Sequence, residues 1–434
     1  MSERKRYAVC GVSSRVMGMY IRAILGEYKD YAELVGMLDI DPLRFQICKQ
    51  DIPESQDVPC YLPSDFEQML AETRPDALIV TCMDCFHVDY IIKGLEHGLD
   101  IIAEKPMTTN TPDALRVLEA EKKSRGKIIC TFNYRYPPEH VKIKEMLLEG
   151  KIGRITYVDL NWYVDIRHGS SYFNRWNRMR KNSGSLTIHK SCHHFDLVNW
   201  WLDDAPVKVH AFGGLNHYGV QGPFKPKADT NGQLCSQCPY AQQCGYRARF
   251  FTRLGTYRSG NELMPTLSDK RQLYTNYRPE QCIFDREIDI YDTYIANVKY
   301  KNGALLNYSC NFSAPYEGYR LAINGTHGRI ETLKYGGEAG DALPNLNGPD
   351  GVEFIDYFPI FGGRERISIP KIEGDHGGGD PMILEDIFLG EDPNRRFDIL
   401  ARSVDGLRAI AIGDAVYNCI HDECGEIDMS SYIL

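Results

Sequence analysis

The stretch Asp100-Ile-Ile-Ala-Glu-Lys-Pro-Met107 determines how the first part of this chain is interpreted. Its apolar run is typical of a short buried strand in a parallel sheet. The run ends at Glu104-Lys105, and Pro106 has no N–H to give to a strand ladder. Because ligands of open α/β sheets bind beyond the carboxyl ends of the strands, Lys105 is expected where a cofactor and a substrate meet. A surface turn is the simpler interpretation of an isolated Lys-Pro, so the flanking sequence must decide.

Strand and helix patterns alternate on both sides of this stretch. Apolar strands are predicted over 7–11, 32–39, 77–81 and 127–132, with helical patterns between them. This alternation predicts an α/β domain with a doubly wound parallel sheet over residues 1–131.

The first strand leads into a degraded form of the glycine-rich turn that binds a dinucleotide. Gly11 is present, but Ser13 and Val16 stand where the second and third glycines are expected. Ser13 is small enough for the backbone to approach a pyrophosphate, and Arg15 could add a charge-assisted hydrogen bond. Gly11, Ser13, Ser14 and Arg15 are therefore predicted to contact the cofactor.

The next two strands end in polar residues. Asp39 has the spacing of the acid that binds an adenosine ribose, which favours NAD over NADP, and the alternative is a turn or N-cap residue. Thr81 ends the third strand, and His87 lies near a helix start, on the expected nicotinamide side. Glu104 joins these residues at the carboxyl ends. Cys82 has metal-like spacing with a second cysteine nearby but no second pair, and is interpreted as a packing residue.

Residues 132–434 are predicted to form a second, α+β domain. The segments 155–162, 294–300, 304–310 and 319–324 alternate between apolar and polar residues and are joined in part by turns such as Lys301-Asn-Gly303. A large, mostly antiparallel sheet with helices on one face is expected. A long irregular, cysteine-rich insertion is predicted at about 213–285.

The most chemically suggestive part of this domain is the segment 183–201. Read as a helix, it places His189, His193, Asp196 and Trp200 on one stripe. Asp196 could orient the ring of His193 for general-base chemistry, with Lys190 close by. The alternative is a core histidine that simply pairs with Asp196.

Two further segments are candidate substrate contacts. Arg175 belongs to a basic run with Arg178, Arg180 and Lys181, which would suit a carboxylate or sulfonate on a sugar but could also be a solvated loop. His376 lies in a glycine-rich turn before a helix, where it either contacts substrate or merely belongs to the helix entry.

Cys235, Cys238, Cys244 and Cys282 give the sharpest metal signal in the sequence. A Cys-x-x-Cys pair followed by two more thiols suits structural zinc, with an iron–sulfur cluster as the alternative. A reduced cluster without metal is the other interpretation. Such a site would help to hold together an insertion that lacks an obvious core.

Length and charge limit the remaining possibilities. The 434 residues exceed one ordinary core, so two domains are expected. The net charge of −9 disfavours a nucleic-acid partner. No apolar run approaches the roughly 20 residues of a membrane span, and the start lacks the apolar core of a signal peptide. A cytoplasmic protein with no membrane partner and no disulfide framework is therefore expected.

Taken together, these motifs resemble the glucose–fructose oxidoreductase / inositol dehydrogenase / MocA (Gfo/Idh/MocA) family of sugar oxidoreductases. The resemblance runs over nearly the whole chain and rests on the first strand-turn-helix, Asp39, the run 81–87, Glu104-Lys105-Pro106 and Phe132-Asn-Tyr-Arg135. It implies a Rossmann domain that binds NAD, with Lys105 beside the nicotinamide and the substrate hydroxyl. It also implies a homo-oligomer, a dimer or tetramer, formed through the open face of the second sheet.

The resemblance further implies that His193 is the catalytic acid/base. In the family pattern an acid stands four residues before this histidine, whereas His189 occupies that position here, with Lys190 next to it. This departure leaves the substrate open. The family's final Asp matches Asp196.

Three functions are consistent with the sequence. The leading one is an NAD-dependent oxidoreductase acting on a hydroxyl or keto carbon of a sugar or sugar derivative, with an anionic sugar as a hypothesis. His193 would remove the hydroxyl proton, Lys105 would stabilise the charge on the oxygen, and His189, Lys190 and Asp196 would tune the histidine. The alternatives are an NAD-dependent glycoside hydrolase that uses transient oxidation and elimination, and a cofactor-binding sensor without catalysis.

Overall fold

Two β-sheets organise the chain, one formed by the first 130 residues and one by the remainder. They are seen in a computed structural model that describes residues 4–226, 229–235, 237–246, 281–336, 352–370, 372, 375–395 and 397–430. The predicted fold class is confirmed, with a Rossmann-type parallel sheet followed by a larger, mostly antiparallel one. The boundary predicted between residues 131 and 132 stays a prediction.

The first sheet has six parallel strands in the order β3-β2-β1-β4-β5-β6. Its strands are β1 (Lys5–Cys10), β2 (Ala32–Leu38), β3 (Cys60–Tyr61), β4 (Ala77–Val80), β5 (Asp100–Ala103) and β6 (Ile128–Cys130). All four residues of β4 are buried, as expected of a strand covered by helices on both faces. The strand order reverses between β1 and β4, which opens a ligand crevice at their carboxyl ends.

The helices that accompany this sheet are α1 (Ser14–Val16), α2 (Arg22–Leu25), α3 (Pro42–Asp51), α4 (Phe66–Thr73), α5 (His87–Glu96) and α6 (Thr111–Lys123). A π-helical turn over Met17–Ile21 joins α1 to α2. Local capping sets the start of α6, because the side chain of Asn110 accepts a hydrogen bond from the N–H of Asp113.

The second sheet, within the described residues, has nine strands in the order β14-β13-β12-β11-β7-β10-β9-β8-β15. They are β7 (Ile155–Asp165), β8 (Pro206–Gly214), β9 (Thr293–Tyr300), β10 (Leu305–Ala314), β11 (Glu317–Gly325), β12 (Gly328–Gly336), β13 (Val352–Pro359), β14 (Glu365–Pro370) and β15 (Ile427–Asp428). Among the described strands of this second sheet, only β7 and β10 pair in parallel. The segments predicted from alternation are β7, β9, β10 and β11, so period-two patterning identified the centre of this sheet.

The helices of this part are α7 (Pro138–Leu148), α8 (Ile166–Phe173), α9 (Arg180–Ser183), α10 (Leu186–His189), α11 (Cys192–Leu202), α12 (Gly379–Phe388) and α13 (Ser403–His421). The single helix predicted over 183–201 is wrong, because the chain turns between α10 and α11. Ser191 holds this turn, since its Oγ lies 2.6 Å from the hydroxyl of Tyr294 and 2.8 Å from that of Tyr308. Within the described ranges, no helix is long and apolar enough to cross a membrane.

Candidate active site

Lys105 lies directly after β5, at the carboxyl edge of the first sheet. Its Nζ donates a hydrogen bond to the main-chain carbonyl of His189 at 3.3 Å. The side chain is partly exposed, so the ammonium group can reach a ligand. The structure therefore brings together two candidate residues that are 84 positions apart in sequence.

Glu104 is buried beside Lys105 and is bound by Arg15. The Nε of Arg15 donates to Glu104 Oε1 at 3.1 Å, and its two terminal nitrogens donate to the carboxylate of Asp380 at 2.6 and 3.1 Å. Although burial opposes ionisation of Glu104, Arg15 and Lys105 outweigh it and lower the pKa of this carboxyl. Arg15 thus connects two carboxylates, and its predicted contact with a pyrophosphate stays a prediction.

The turn after β1 has the geometry that a dinucleotide needs. Gly11 has φ +100°, and a Cβ there would lie 2.4 Å from the backbone N of Cys82, so only glycine fits. The hydroxyl of Ser13 caps the following helix by accepting from the N–H of Val16 at 3.2 Å. Asp39 accepts from the N–H of Val12 at 2.6 Å. Ser14 is the first residue of the helix that Ser13 caps. The close backbone approach, this helix start and the acid at the end of β2 fit an NAD molecule.

Thr81 and His87 support the neighbouring loop. The hydroxyl of Thr81 donates to the carbonyl of Gly11 at 2.6 Å, which ties β4 to the glycine turn. His87 is buried, with Nδ1 2.8 Å from the carbonyl of Pro106 and Nε2 3.1 Å from the carbonyl of Cys82. Both ring nitrogens of His87 are therefore occupied, and its predicted contact with the nicotinamide stays a prediction.

Asp84 is a site residue that the sequence analysis missed. Its Oδ2 lies 2.5 Å from Nδ1 of His189, so a carboxylate from the loop after β4 meets a histidine of the second sheet's helices. Burial raises the pKa of the Asp84 carboxyl to about 7, although His87 and Lys105 oppose the shift. The amide of Asn177 faces the other ring nitrogen of His189 at 3.1 Å. The position of Asp84, just beyond a buried parallel strand, was the signal that could have identified it.

His193 lies in a buried, aromatic part of the same site. Its ring stacks on that of Tyr134 with ring centroids 4.5 Å apart. The ring centroid of His376 lies 6.2 Å from that of His193. Lys190 Nζ donates to the hydroxyl of Tyr134 at 3.2 Å. Burial lowers the pKa of His193 well below its usual range, and Lys105 and Lys190 lower it further, so the neutral form of the ring is favoured.

Asp196 does not orient His193, contrary to both interpretations of the sequence. Its carboxylate forms a two-point ion pair with Arg135, with distances of 2.8 Å to Nε and 2.5 Å to Nη2. Arg135 also lies 3.3 Å from Asp405. Both Arg135 and Asp196 are buried, so this pair anchors α11 and leaves Nδ1 of His193 without a hydrogen-bond partner among the described residues. The break after α10 changes the register between His189 and His193, whereas His193 and Asp196 share α11 and are separated because Arg135 binds Asp196.

The basic run near Arg175 is divided between two roles. Arg178 is buried against Asp285 at 2.5 Å, and Arg180 donates to Asp414 at 3.1 Å, so both serve the fold. Arg175 binds the main-chain carbonyl of Ser171 at 2.7 Å and its hydroxyl at 3.1 Å. The predicted cluster of four cations is therefore wrong as a single site, and Arg175 remains a candidate substrate contact.

The four cysteines predicted to bind metal line one small cavity of about 30 Å³, together with apolar side chains such as Phe284. In the part of the chain that the structure describes, however, no group of three or more His, Cys, Asp or Glu side chains is arranged to hold a metal ion. The prediction of zinc or an iron–sulfur cluster at Cys235, Cys238, Cys244 and Cys282 is not supported. The thiols lie among apolar side chains and do not converge on one point, and residues 247–280 of the insertion lie outside the described residues.

A parallel sheet with a glycine turn, an acid at the end of β2 and a lysine at its carboxyl edge is the arrangement of an oxidoreductase with an NAD-binding Rossmann domain. Family comparison agrees: residues 5–132 match the oxidoreductase family's NAD-binding Rossmann fold, and residues 144–423 match its C-terminal alpha/beta domain. The chain belongs to the Gfo/Idh/MocA oxidoreductase family.

Three relatives illustrate the range of similarity. YteT of Bacillus subtilis (strain 168) is 48% identical over 425 residues, which cover 96% of each chain. Inositol 2-dehydrogenase of Corynebacterium glutamicum is 24% identical over 198 residues, covering 44% of this chain and 54% of the relative. Among solved structures, the WlbA dehydrogenase of Bordetella pertussis, in complex with NADH and UDP-GlcNAcA, superposes with a TM-score of 0.63 at 17% identity over 98% of this chain and 99% of its own. That last likeness concerns the fold.

Proposed function

We propose that this protein is an NAD-dependent dehydrogenase that oxidises a hydroxyl group of a sugar or sugar derivative. The observation that carries the proposal is the meeting of Lys105, the Asp84–His189 pair and His193 at the carboxyl edge of the NAD-binding sheet. The names of relatives, an inositol dehydrogenase and a dehydrogenase bound to a nucleotide sugar, support a carbohydrate as the substrate class.

Each residue has a definite part in this scheme. Burial and the nearby lysines favour the neutral ring of His193, which is the form that takes the proton of the substrate hydroxyl as the C–H bond loses a hydride. Lys105 is placed to stabilise the negative charge that develops on the oxygen, because its Nζ is held at the sheet edge by a single hydrogen bond to a carbonyl. Asp84 fixes the ring of His189, the residue whose main-chain carbonyl holds Lys105. NAD supplies the hydride acceptor, its nicotinamide ring.

Asp39 supports NAD rather than NADP as the cofactor. Its carboxylate stands at the end of β2 and accepts hydrogen bonds from the N–H groups of Val12 and Asp41 at 2.6 and 2.8 Å. These two bonds hold it in place, and each oxygen can still accept from a ribose hydroxyl. A 2′-phosphate at this position would be repelled.

The test is to incubate the protein with NAD and a panel of inositols, hexoses, uronates and aryl glycosides while following NADH formation. Stoichiometric NADH with one sugar class is the expected result. His193→Asn and Lys105→Met variants should retain NADH binding, measured by fluorescence, and lose turnover. NADH binding without turnover of any sugar in the wild-type protein would instead indicate a cofactor sensor and contradict the proposal.

A glycoside hydrolase that uses transient oxidation is the second candidate, and the position of His376 favours it. This histidine comes from the glycine-rich turn before α12 and lies beside His193 and Tyr134. It is therefore available to protonate a leaving group after oxidation and elimination. Release of free sugar from an aryl glycoside without accumulation of NADH would establish this function in place of the first.

A second copy of this chain is proposed as the macromolecular partner. On the open face of the nine-stranded sheet, Phe212 and Ile295 stand opposite each other on β8 and β9 and are 64% and 47% exposed. Covering this face would remove apolar surface from water. Light scattering should give the mass of a dimer or tetramer, and a monomer at all concentrations would contradict this expectation.

A further inference from the structure

Three basic side chains around the candidate active site form no ion pair with any carboxylate in the described part of the chain. Lys105 Nζ contacts a main-chain carbonyl, and Lys190 Nζ contacts a phenol hydroxyl. The guanidinium of Arg175 donates hydrogen bonds to the carbonyl and hydroxyl of Ser171. All three cations lie in a protein whose net charge is −9, so carboxylates to pair with them are abundant elsewhere in the chain.

Arginines of the same segment behave differently. Arg178 is paired with Asp285 and Arg180 with Asp414, although both lie within five residues of Arg175. The fold therefore supplies counter-ions to these two arginines. Of the three arginines in this segment, Arg175 is the one without a carboxylate partner among the described residues.

Lys190 is the buried member of these three cations, with only 4% of its surface exposed. A buried ammonium group is costly unless an anion accompanies it. Glu317 is a carboxylate whose charge is felt by Lys190, but both of its oxygens already face Nδ1 of His168, at 2.9 and 3.1 Å. An anion that arrives with the substrate would complete the site.

Arg175 and Lys190 both lie near Tyr172 and His189, because the charges of both cations act on the pKa of each of these two groups. The guanidinium carbon of Arg175 lies 5.9 Å from the ring centroid of Tyr172, and that ring lies 5.6 Å from His189. Lys190 follows His189 in sequence. Nε and Nη2 of Arg175 are bound to Ser171, so the Nη1 edge of its planar fork is available to a ligand. Burial, and then the charges of Lys105, Arg175 and Lys190, lower the pKa of His189 well below its usual range, which agrees with this proximity.

We propose that Arg175 and Lys190 form an anion-binding subsite for the carboxylate of a sugar acid, so that the substrate is a uronate or similar hydroxy acid sugar. The proposal rests on the dehydrogenase function proposed above, because it concerns the substrate of the same site. Arginine is suited to a planar carboxylate because its fork can donate two parallel hydrogen bonds. Lys190 adds a point charge from the buried side.

The experiment compares sugars that differ only in the charged group. NADH formation is measured with D-galacturonate against D-galactose, and with D-glucuronate against D-glucose, with D-galactose 6-phosphate as a third anion. The uronate of each pair is expected to have a kcat/KM roughly 10- to 100-fold higher, as fits a charged hydrogen bond. Equal or higher kcat/KM for the neutral sugars, or a preference for the phosphate ester, would overturn the proposal.

Variants of Arg175 test whether this residue is responsible for the preference for uronates over neutral sugars. Arg175→Gln should reduce the ratio of uronate to neutral-sugar kcat/KM by about 10-fold or more, and Arg175→Lys, which keeps the charge but loses the fork, should retain part of it. Arg180→Gln is the matched control, because Arg180 is ion-paired with Asp414, and its ratio should equal that of the wild type. An unchanged ratio in Arg175→Gln would remove Arg175 from the subsite and overturn the assignment.

Calorimetric binding separates this proposal from the proposed function. If the NAD-loaded protein forms no NADH with any sugar, but binds D-galacturonate in a way that Arg175→Gln weakens, the dehydrogenase fails and the subsite stands. If NADH forms with neutral sugars while uronates neither bind nor react, the dehydrogenase stands and the subsite fails.

Discussion

Replacing Asp84 with asparagine removes the ionisable group of the Asp84–His189 pair while keeping its shape. In the folded protein, burial raises the pKa of this carboxyl from 3.8 to about 7. A shift of about three pKa units corresponds to roughly 4 kcal/mol, which is the upper limit of the effect on the free energy of unfolding. The folded-state pKa lies above the unfolded one, so the folded protein keeps a proton that the unfolded chain releases. The stability of the wild type therefore falls as the pH rises from about 4 to 7.

The side-chain amide of the Asp84→Asn variant does not titrate, so this variant should gain stability relative to the wild type as the pH rises. The free energy of unfolding is measured with urea at pH 5 and pH 8, following tryptophan fluorescence. About two of the three pKa units lie between pH 5 and the folded-state pKa of about 7, so the free energy of unfolding of the variant should rise relative to that of the wild type by up to roughly 3 kcal/mol between the two pH values. Asp57→Asn, at an exposed carboxyl, is the control and should follow the wild type. A difference that is the same at both pH values would refute the reasoning.

Further changes test other parts of the structure. Arg135→Met leaves the buried carboxylate of Asp196 without its partner and should lower the free energy of unfolding by about 3–5 kcal/mol in urea denaturation; an Arg135→Met, Asp196→Leu double variant should recover part of this loss, and equal instability of both would contradict the account. Gly11→Ala should weaken NADH binding in a fluorescence titration, because the new Cβ meets the backbone of Cys82; unaltered affinity would show that the turn has room. Lys105→Met should lower kcat by about 100-fold or more with NADH affinity retained, and a kcat within a factor of two of the wild type would exclude its role in charge stabilisation.

The fold was largely predictable because its signals are local. A buried run that stops at Glu104-Lys105-Pro106 identifies the end of β5, and period-two alternation identifies the central strands of the second sheet. Gly11 and Asp39 likewise stand at predictable ends of β1 and β2. Each of these patterns is contained within about ten residues of the chain.

The site was less predictable because its decisive contacts connect distant segments. Asp84 meets His189 across 105 positions, and Ser191 breaks a strong helical pattern by bonding to Tyr294, 103 positions away. Asp196 has the helical spacing to pair with His193, but its carboxylate forms an ion pair with Arg135 instead. A side chain can satisfy its hydrogen bonds with any polar group that the fold brings near, and sequence spacing ranks only the neighbours on the same element.

The ion pairs of Arg15 with Glu104 and Asp380 have a consequence for how such proteins can be recombined. Arg15 and Glu104 belong to the NAD-binding half, and Asp380 is supplied by the start of α12, more than 200 residues later. A chimera that joins this half to the second half of a distant homologue would retain a buried carboxylate and its arginine but lose the third charge. Each half therefore depends on a charged residue of the other half. A chimera keeps the complete set of ion pairs only when it combines Arg15 with an aspartate at position 380.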